Sequence, residues 1–330
     1  MAPNTPFFVM ACPRSGTTLL ALMLHAHSRI AVPPETRFMM RVYRQQRGIG
    51  DLAVAANRER LADMITHRST RFPDLGLSRP VTRQAIIDGP PTVGSALGIV
   101  FRSYAERFGK QRWGDKRPQH HRSVVAIRAM FPDAKFIHIV RDGRDCVASL
   151  KQVPWWTKDS IHAMALWTAA IDRGRRSGQR LGPGCYLELR YEDLVADPEG
   201  EIRKVCDFLG EEFEPAMLEP HKVVAQAVPE RKTWHGNTGS AISASSVGSH
   251  AQVLEPWELR LMNFVAGRRL RALGYETGRV GPPSPQAVAR YARSSIRRRV
   301  WTLRRVRGER RIASRFAPVA DQEGGSTRAP

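Results

Sequence analysis

Residues Pro6 to Ala11 read Pro-Phe-Phe-Val-Met-Ala, a nearly continuous apolar run. Behind it stand Pro13-Arg14-Ser15-Gly16-Thr17-Thr18 and then the apolar, helix-forming stretch Leu19 to Ala26. A strand that is apolar on both faces belongs inside a parallel sheet covered on both sides. The polar loop between strand and helix points backbone N–H groups outward, and the helix dipole adds positive potential, so an anion is favoured there. Gly16 permits close backbone approach, Ser15, Thr17 and Thr18 offer hydroxyls, and the Arg14 guanidinium can fork onto phosphate or sulfate oxygens. Taken alone, Ser-Gly-Thr-Thr also reads as a helix-capping turn.

The same grammar returns at Lys135 to Val140, followed by Arg141-Asp142-Gly143-Arg144-Asp145 and a helical stretch from Cys146 to about Lys151. A third strand is expected at Cys185 to Arg190. Asp197 then caps a helix with Pro198 at its first position, Ile202, Val205, Cys206 and Leu209 share one face, and Gly210 ends it. Helices are expected over Asp51 to His67, Val93 to Lys110, Gln119 to Met130, Ser160 to Leu181 and Glu255 to Leu273, and a long loop over Thr233 to His250. Strands alternating with helices make this an α/β chain with a central parallel sheet flanked by helices in three layers.

In the nucleotide-triphosphate form of such a loop, Gly-x-x-x-x-Gly-Lys is followed by Ser or Thr on magnesium. Here Thr17 stands in the lysine's place and the upstream glycine is missing, which disfavours a kinase or NTPase. Instead, Pro13 to Leu20 resembles the 5′-phosphosulfate loop of sulfotransferases that use 3′-phosphoadenosine-5′-phosphosulfate (PAPS). Phe131 to Ser149 resembles that family's 3′-phosphate motif, with Arg141 and Ser149 at the two matching positions. The likeness runs from about Phe7 to Gly274, nearest the tyrosylprotein sulfotransferase branch and its bacterial relatives, and implies a P-loop-like fold. In that branch the tyrosine matching Tyr191, in Leu189-Arg190-Tyr191-Glu192-Asp193-Leu194, touches the nucleotide.

The resemblance further implies PAPS as donor and a hydroxyl-bearing acceptor. Arg14, Ser15, Gly16, Thr17, Thr18, Arg141, Ser149 and Tyr191 become the donor-binding candidates, and Glu35, Arg14 and Lys116 the catalytic ones. Glu35, in Pro33-Pro34-Glu35-Thr36-Arg37, matches the segment that supplies the base; Lys116, in Trp113-Gly114-Asp115-Lys116-Arg117-Pro118, matches a lysine that assists the leaving group. His120 and His121 are the rival base. The cytosolic branch's Arg-Lys-Gly motif is absent, leaving Ser245, Ser246 or Ser249 for late 3′-phosphate contacts. Trp113 can stack on adenine or pack in the core; Trp155, Trp156 and Trp167 can line an acceptor pocket, with core packing favoured for Trp167. The sulfuryl group carries one negative charge, so arginine and lysine can suffice and no metal is expected.

Charge adds a second theme. The formal net charge is +21, and between Arg290 and Arg315 eleven arginines face the single acid Glu309. A division into 1–280, the catalytic domain, and 281–330, a linker from Gly281 to Pro285 and a basic tail, is expected. Tyr291, Ile296, Val300, Trp301 and Leu303 interleave with the arginines, so residues 290–315 can either lie on an anionic membrane as an amphipathic helix or stay solvated. No specific nucleic acid is expected, because RRM and zinc-finger patterns are missing. Four cysteines without a CxxC pair and an amino terminus unlike a secretory signal lead us to expect a cytoplasmic protein, peripheral at the inner membrane face if the tail binds lipid.

Overall fold

Five parallel strands form one sheet in the order β2-β3-β1-β4-β5: β1 Phe7–Ala11, β2 Ile30–Ala31, β3 Arg112–Lys116, β4 Lys135–Val140 and β5 Tyr186–Arg190. This computed structural model describes residues 5–227, 242–278 and 280–313. Residues 233–241 of the expected long loop, Arg315 and Met1 to Asn4 lie outside the described residues.

β1 and β4 are buried along their whole length, as their apolar runs require. Alternate side chains go to opposite faces. Phe8, Met10 and Phe136 pack with Leu97, Val100 and Phe101 on one side. Val9, Ala11, Ile137 and Ile139 pack with Leu20, Met23, Ile202 and Val205 on the other.

β3 escaped the sequence reading because three of its five residues are charged. Each charge has a partner: Arg112 meets Glu211 at 2.8 Å, Asp115 meets His120 at 2.8 Å, and Lys116 meets Glu35 at 2.9 Å. Gly114 is required by β1 beside it, since a Cβ there would lie 2.3 Å from the Phe7 ring.

The helices Ser160–Leu181, Pro198–Leu209 and Pro256–Ala272 fall where the sequence puts them. The stretch expected as one helix from Gln119 to Met130 is instead a 3-10 turn, Pro118–Arg122, and a helix, Val124–Met130. Ser123 interrupts it with φ −129°, its hydroxyl donating to Glu309 at 3.2 Å.

Beyond residue 280 the chain forms a 29-residue helix, Pro285–Ala313, packed along Ser160–Leu181 and Val124–Met130. Ala287, Ser294, Thr302, Glu309 and Ile312 are buried in that seam, and the Tyr291 hydroxyl lies 2.9 Å from Thr168 Oγ1. The seam has helical spacing but is largely polar, so hydrophobic periodicity does not reveal it. Glu309 is its anchor: 1% exposed, it pairs with Arg305 at 3.0 Å, while its backbone carbonyl accepts from the Tyr43 hydroxyl at 3.2 Å. Glu309→Ala strands Arg305 without its carboxylate, and we expect a loss of about 3 kcal/mol in urea unfolding. An unchanged midpoint would show that the helix docks without this contact.

Candidate functional site

The loop after β1 is held in a costly conformation. Arg14 has φ 74° and Gly16 φ 85°. The left-handed region costs a non-glycine residue roughly 1–2 kcal/mol, so something must fix Arg14 there. Its carbonyl accepts from Arg141 Nη1 at 2.9 Å, and its own Nε donates to Ser149 Oγ at 3.0 Å. Gly16 has no substitute, because a Cβ there would sit 2.3 Å from Tyr191 Cδ2. The Tyr191 ring in turn lies under the Arg141 guanidinium, 4.6 Å from its centroid. The structure thus gathers Arg14, Gly16, Arg141, Ser149 and Tyr191, contributed by the segments following β1, β4 and β5, at one edge of the sheet. In parallel sheets this carboxyl edge is where ligands collect. Ser15 Oγ is buried 3.4 Å from Cys146 Sγ, and Thr17 opens the helix Thr17–Ala26.

Electrostatics single out this corner. Burial and then the neighbouring Arg141 push the Arg14 guanidinium below its ordinary value. Two cations side by side, Arg141 buried and Arg14 half-buried, favour an added anion. The nearest carboxylate to Arg141, Asp145 at 3.9 Å, is already engaged: it accepts from the backbone N–H groups of Gly248 and His250, each at 2.9 Å, and lies 2.7 Å from His250 Nδ1. Burial works against the Asp145 carboxylate, yet these bonds hold it below its usual range. Among the described residues, buried Arg141 Nε has no hydrogen-bond partner. A buried donor of this kind calls for an acceptor, and an oxyanion between the two guanidiniums supplies one.

The described part of the serine-rich stretch folds against this corner. Arg141 Nη2 donates to the Ser246 carbonyl, so backbone rather than the Ser246 hydroxyl meets the arginine. Ser249 Oγ lies 3.4 Å from Asp145, and Ser245 N donates to Ser243 Oγ at 3.1 Å. Asp145 and His250 are positioning residues that sequence reasoning missed. The second acid of Arg-Asp-Gly-Arg-Asp was the available signal.

A second cluster adjoins the loop. Lys116, at the end of β3, donates to Glu35 Oε1 at 2.9 Å and lies 3.4 Å from Thr18 Oγ1. One ammonium therefore links the carboxylate beyond β2 to the helix that follows the loop. The Lys116 side chain is 6% exposed and that of Glu35 17%, so the carboxylate retains access from outside. Arg37, with φ 58°, stands 3.7 Å from the other Glu35 oxygen.

The rival histidines sit elsewhere. His120 is 1% exposed, bound to Asp115 and edge-on to Phe8 at 5.5 Å. His121 is 3% exposed; burial and then Arg122 press its imidazole well below the ordinary range, making it a poor proton acceptor. Trp113 stacks on Phe101 at 4.8 Å in the core, and Trp167 is fully buried with Nε1 donating to the Arg141 carbonyl at 2.9 Å. Trp155 is exposed and meets the partly buried Trp156 edge-on at 6.4 Å.

A family model described as "Sulfotransferase family" matches residues 6–215. The chain is similar to protein-tyrosine sulfotransferase A of Caenorhabditis elegans, 26% identical over 231 residues, which is 68% of this chain and 55% of that protein. It thus spans little more than half of that relative's length. Among solved structures, the sulfotransferase domain from the Synechococcus PCC 7002 olefin synthase superposes with a TM-score of 0.57 at 24% identity, covering 83% of this chain and 96% of that one. The sulfotransferase domain from the curacin biosynthetic pathway gives 0.54 at 22%, covering 84% and 99%. These two likenesses speak for the fold.

Proposed function

The chain belongs to the sulfotransferase family, and on that premise we propose that it moves a sulfuryl group from PAPS to an acceptor hydroxyl. The observation that carries this reading is the adjacent pair of half-buried Arg14 and buried Arg141 beside Ser149, with Lys116 joining Thr18 to Glu35. When bound, the donor supplies an activated sulfur–oxygen bond to a good leaving group. Arg141, Ser149 and Tyr191 hold its 3′-phosphate end. Arg14, the N–H groups of the Gly16 to Thr18 turn, and the Thr18 hydroxyl hold the 5′ end. Glu35 takes the proton of the acceptor hydroxyl as its oxygen bonds to sulfur and the bridging sulfur–oxygen bond breaks in line. Lys116 neutralises the charge that develops on the departing phosphate oxygen. These cations make the chemistry metal-independent in our reading.

Relatives named as protein-tyrosine sulfotransferases make a tyrosine hydroxyl the first acceptor to try. Sulfur-labelled PAPS offered with a tyrosine peptide, a simple phenol, a sugar and a long-chain alcohol tests the proposal. Label should appear in at least one acceptor with wild-type protein and fall sharply with Glu35→Gln. Label transfer equal in both proteins would remove the assigned base.

We further propose that the C-terminal helix meets an anionic membrane surface. Among the described residues no helix is long and apolar enough to cross a membrane. The outer face of Pro285–Ala313 nevertheless shows Ile296, Val300 and Leu303, which are 60%, 42% and 51% exposed, with exposed Arg293, Arg297, Arg304 and Arg307 around them. An apolar stripe edged by arginine suits the boundary between headgroups and acyl chains. Because the inner face of this helix is buried in the protein, point substitutions test the idea better than truncation. Wild-type protein should pellet with phosphatidylglycerol vesicles, while Ile296→Glu with Leu303→Glu should reduce binding at least tenfold; equal pelleting would rule the helix out.

A further inference from the structure

A cleft of about 580 Å³ opens where the 3-10 turn Pro118–Arg122, the start of helix Ser160–Leu181 and helix Pro285–Ala313 meet. None of Arg14, Glu35, Lys116 or Arg141 lines it. Its walls carry six cations, from Arg122, Lys158, Arg290, Arg293, Arg297 and Arg298, against one carboxylate, Asp159. That carboxylate is already engaged by Arg290 at 2.7 Å, His162 Nδ1 at 2.5 Å and the His162 backbone N–H at 2.9 Å. Among the described residues, no carboxylate pairs with Arg122, Lys158, Arg293, Arg297 or Arg298.

A fold does not ordinarily bring together so many uncompensated cations. Burial first, and then Arg298, Arg305 and Arg173, push the Arg122 guanidinium down to about 10. Two buried polar atoms on the cleft wall also lack partners among the described residues: Ser294 Oγ, on a residue 9% exposed, and Arg298 Nε. A single oxyanion can satisfy both, because it offers several acceptor oxygens and up to two negative charges to forked guanidiniums. The volume exceeds that of a bare ion and suits a small ligand. Trp301, its ring 5.4 Å from the Arg122 guanidinium, and Ile161 give such a ligand an apolar wall.

We propose that this cleft is a second anion site, built for a phosphate ester, on which the Ser294 hydroxyl and the Arg298 and Arg122 guanidiniums converge. A phosphomonoester is favoured over a carboxylate because its dianion answers more of the unpaired charge. The phosphate can belong to a soluble metabolite or to a phospholipid headgroup. The proposal does not depend on the donor assignment.

Calorimetry on the full chain decides it, using pyrophosphate as probe after saturation with adenosine 3′,5′-bisphosphate. One further site should appear. It should weaken at least tenfold in Arg293→Glu with Arg297→Glu, two exposed positions whose change leaves the core intact. It should weaken several-fold in Ser294→Ala and stay unchanged in Ser149→Ala. Displacement of pyrophosphate by dihexanoyl phosphatidate, and not by glucose 6-phosphate, would support the site with a lipid source, and the reverse would support it with a soluble one. The proposal is overturned if no second site appears at millimolar pyrophosphate, if charge reversal leaves the affinity unchanged, or if Ser149→Ala abolishes binding.

Discussion

Glu35→Gln should lower single-turnover sulfation by roughly 10²- to 10⁴-fold, the range for a lost general base, while leaving donor affinity nearly unchanged. The substitution is well controlled by its surroundings. The Lys116 ammonium stands 2.9 Å from Glu35 Oε1, and a glutamine carbonyl oxygen can accept the same bond, so the side chain can keep its place while losing its basicity and its charge. Lys116→Ala is the complementary case. In the proposed complex it removes a cation beside the phosphate in ground and transition states alike, so turnover should fall and donor binding should weaken with it. Stopped-flow or quench measurements separate the two. A Glu35→Gln protein that transfers at the wild-type rate would exclude Glu35 as base.

Arg141→Ala should weaken binding of adenosine 3′,5′-bisphosphate by about 1.5–3 kcal/mol, roughly ten- to hundredfold, through loss of a charged, buried hydrogen-bonding group. Two further losses accompany it. The Arg14 carbonyl loses the donor that helps hold its left-handed backbone, and Tyr191 loses the cation over its ring. Ser149→Ala is the gentler companion, since it removes one neutral hydroxyl, which accepts from Arg14 Nε and in the proposed complex also meets the 3′-phosphate. Its effect should fall on donor affinity with turnover at saturation little changed. Wild-type affinity in both variants, measured by calorimetry, would place the 3′-phosphate elsewhere.

Much of this corner was legible because its two loops announce themselves by local rules. A continuous apolar run, a turn rich in Gly, Ser and Thr, and a helix-forming stretch fix where Arg14 and Arg141 emerge, and parallel strands bring both to one edge. The capped helix from Asp197 to Gly210 was readable for the same reason: Asp197 accepts from Gly200 N at 3.0 Å and Gly210 takes φ 78°. What the sequence hid was satisfied in three dimensions by partners far along the chain. β3 looks too polar for a central strand until Arg112 is seen against Glu211 and the carbonyl of Leu209. In the sequence the C-terminal segment reads either as an amphipathic helix for an anionic membrane or as a solvated tail; its docking on the protein shows only when Glu309 is found buried among Tyr43, Ser123 and Arg305. The role of Asp145 as the support for Gly248 and His250 depends on a contact across about a hundred residues, which no local pattern encodes.

The loop after β1 has Thr17 where a nucleotide-triphosphate loop has its lysine, so the choice of nucleotide is the most direct question to put to this protein. Calorimetric titration of the full chain with adenosine 3′,5′-bisphosphate in the presence of EDTA, set beside ATP with magnesium, asks it without knowledge of the acceptor. Our account predicts one tight site for the bisphosphate that needs no divalent ion and is weakened by Arg14→Ala and Arg141→Ala, with ATP binding far more weakly. Tighter binding of ATP, and only with magnesium, would contradict it.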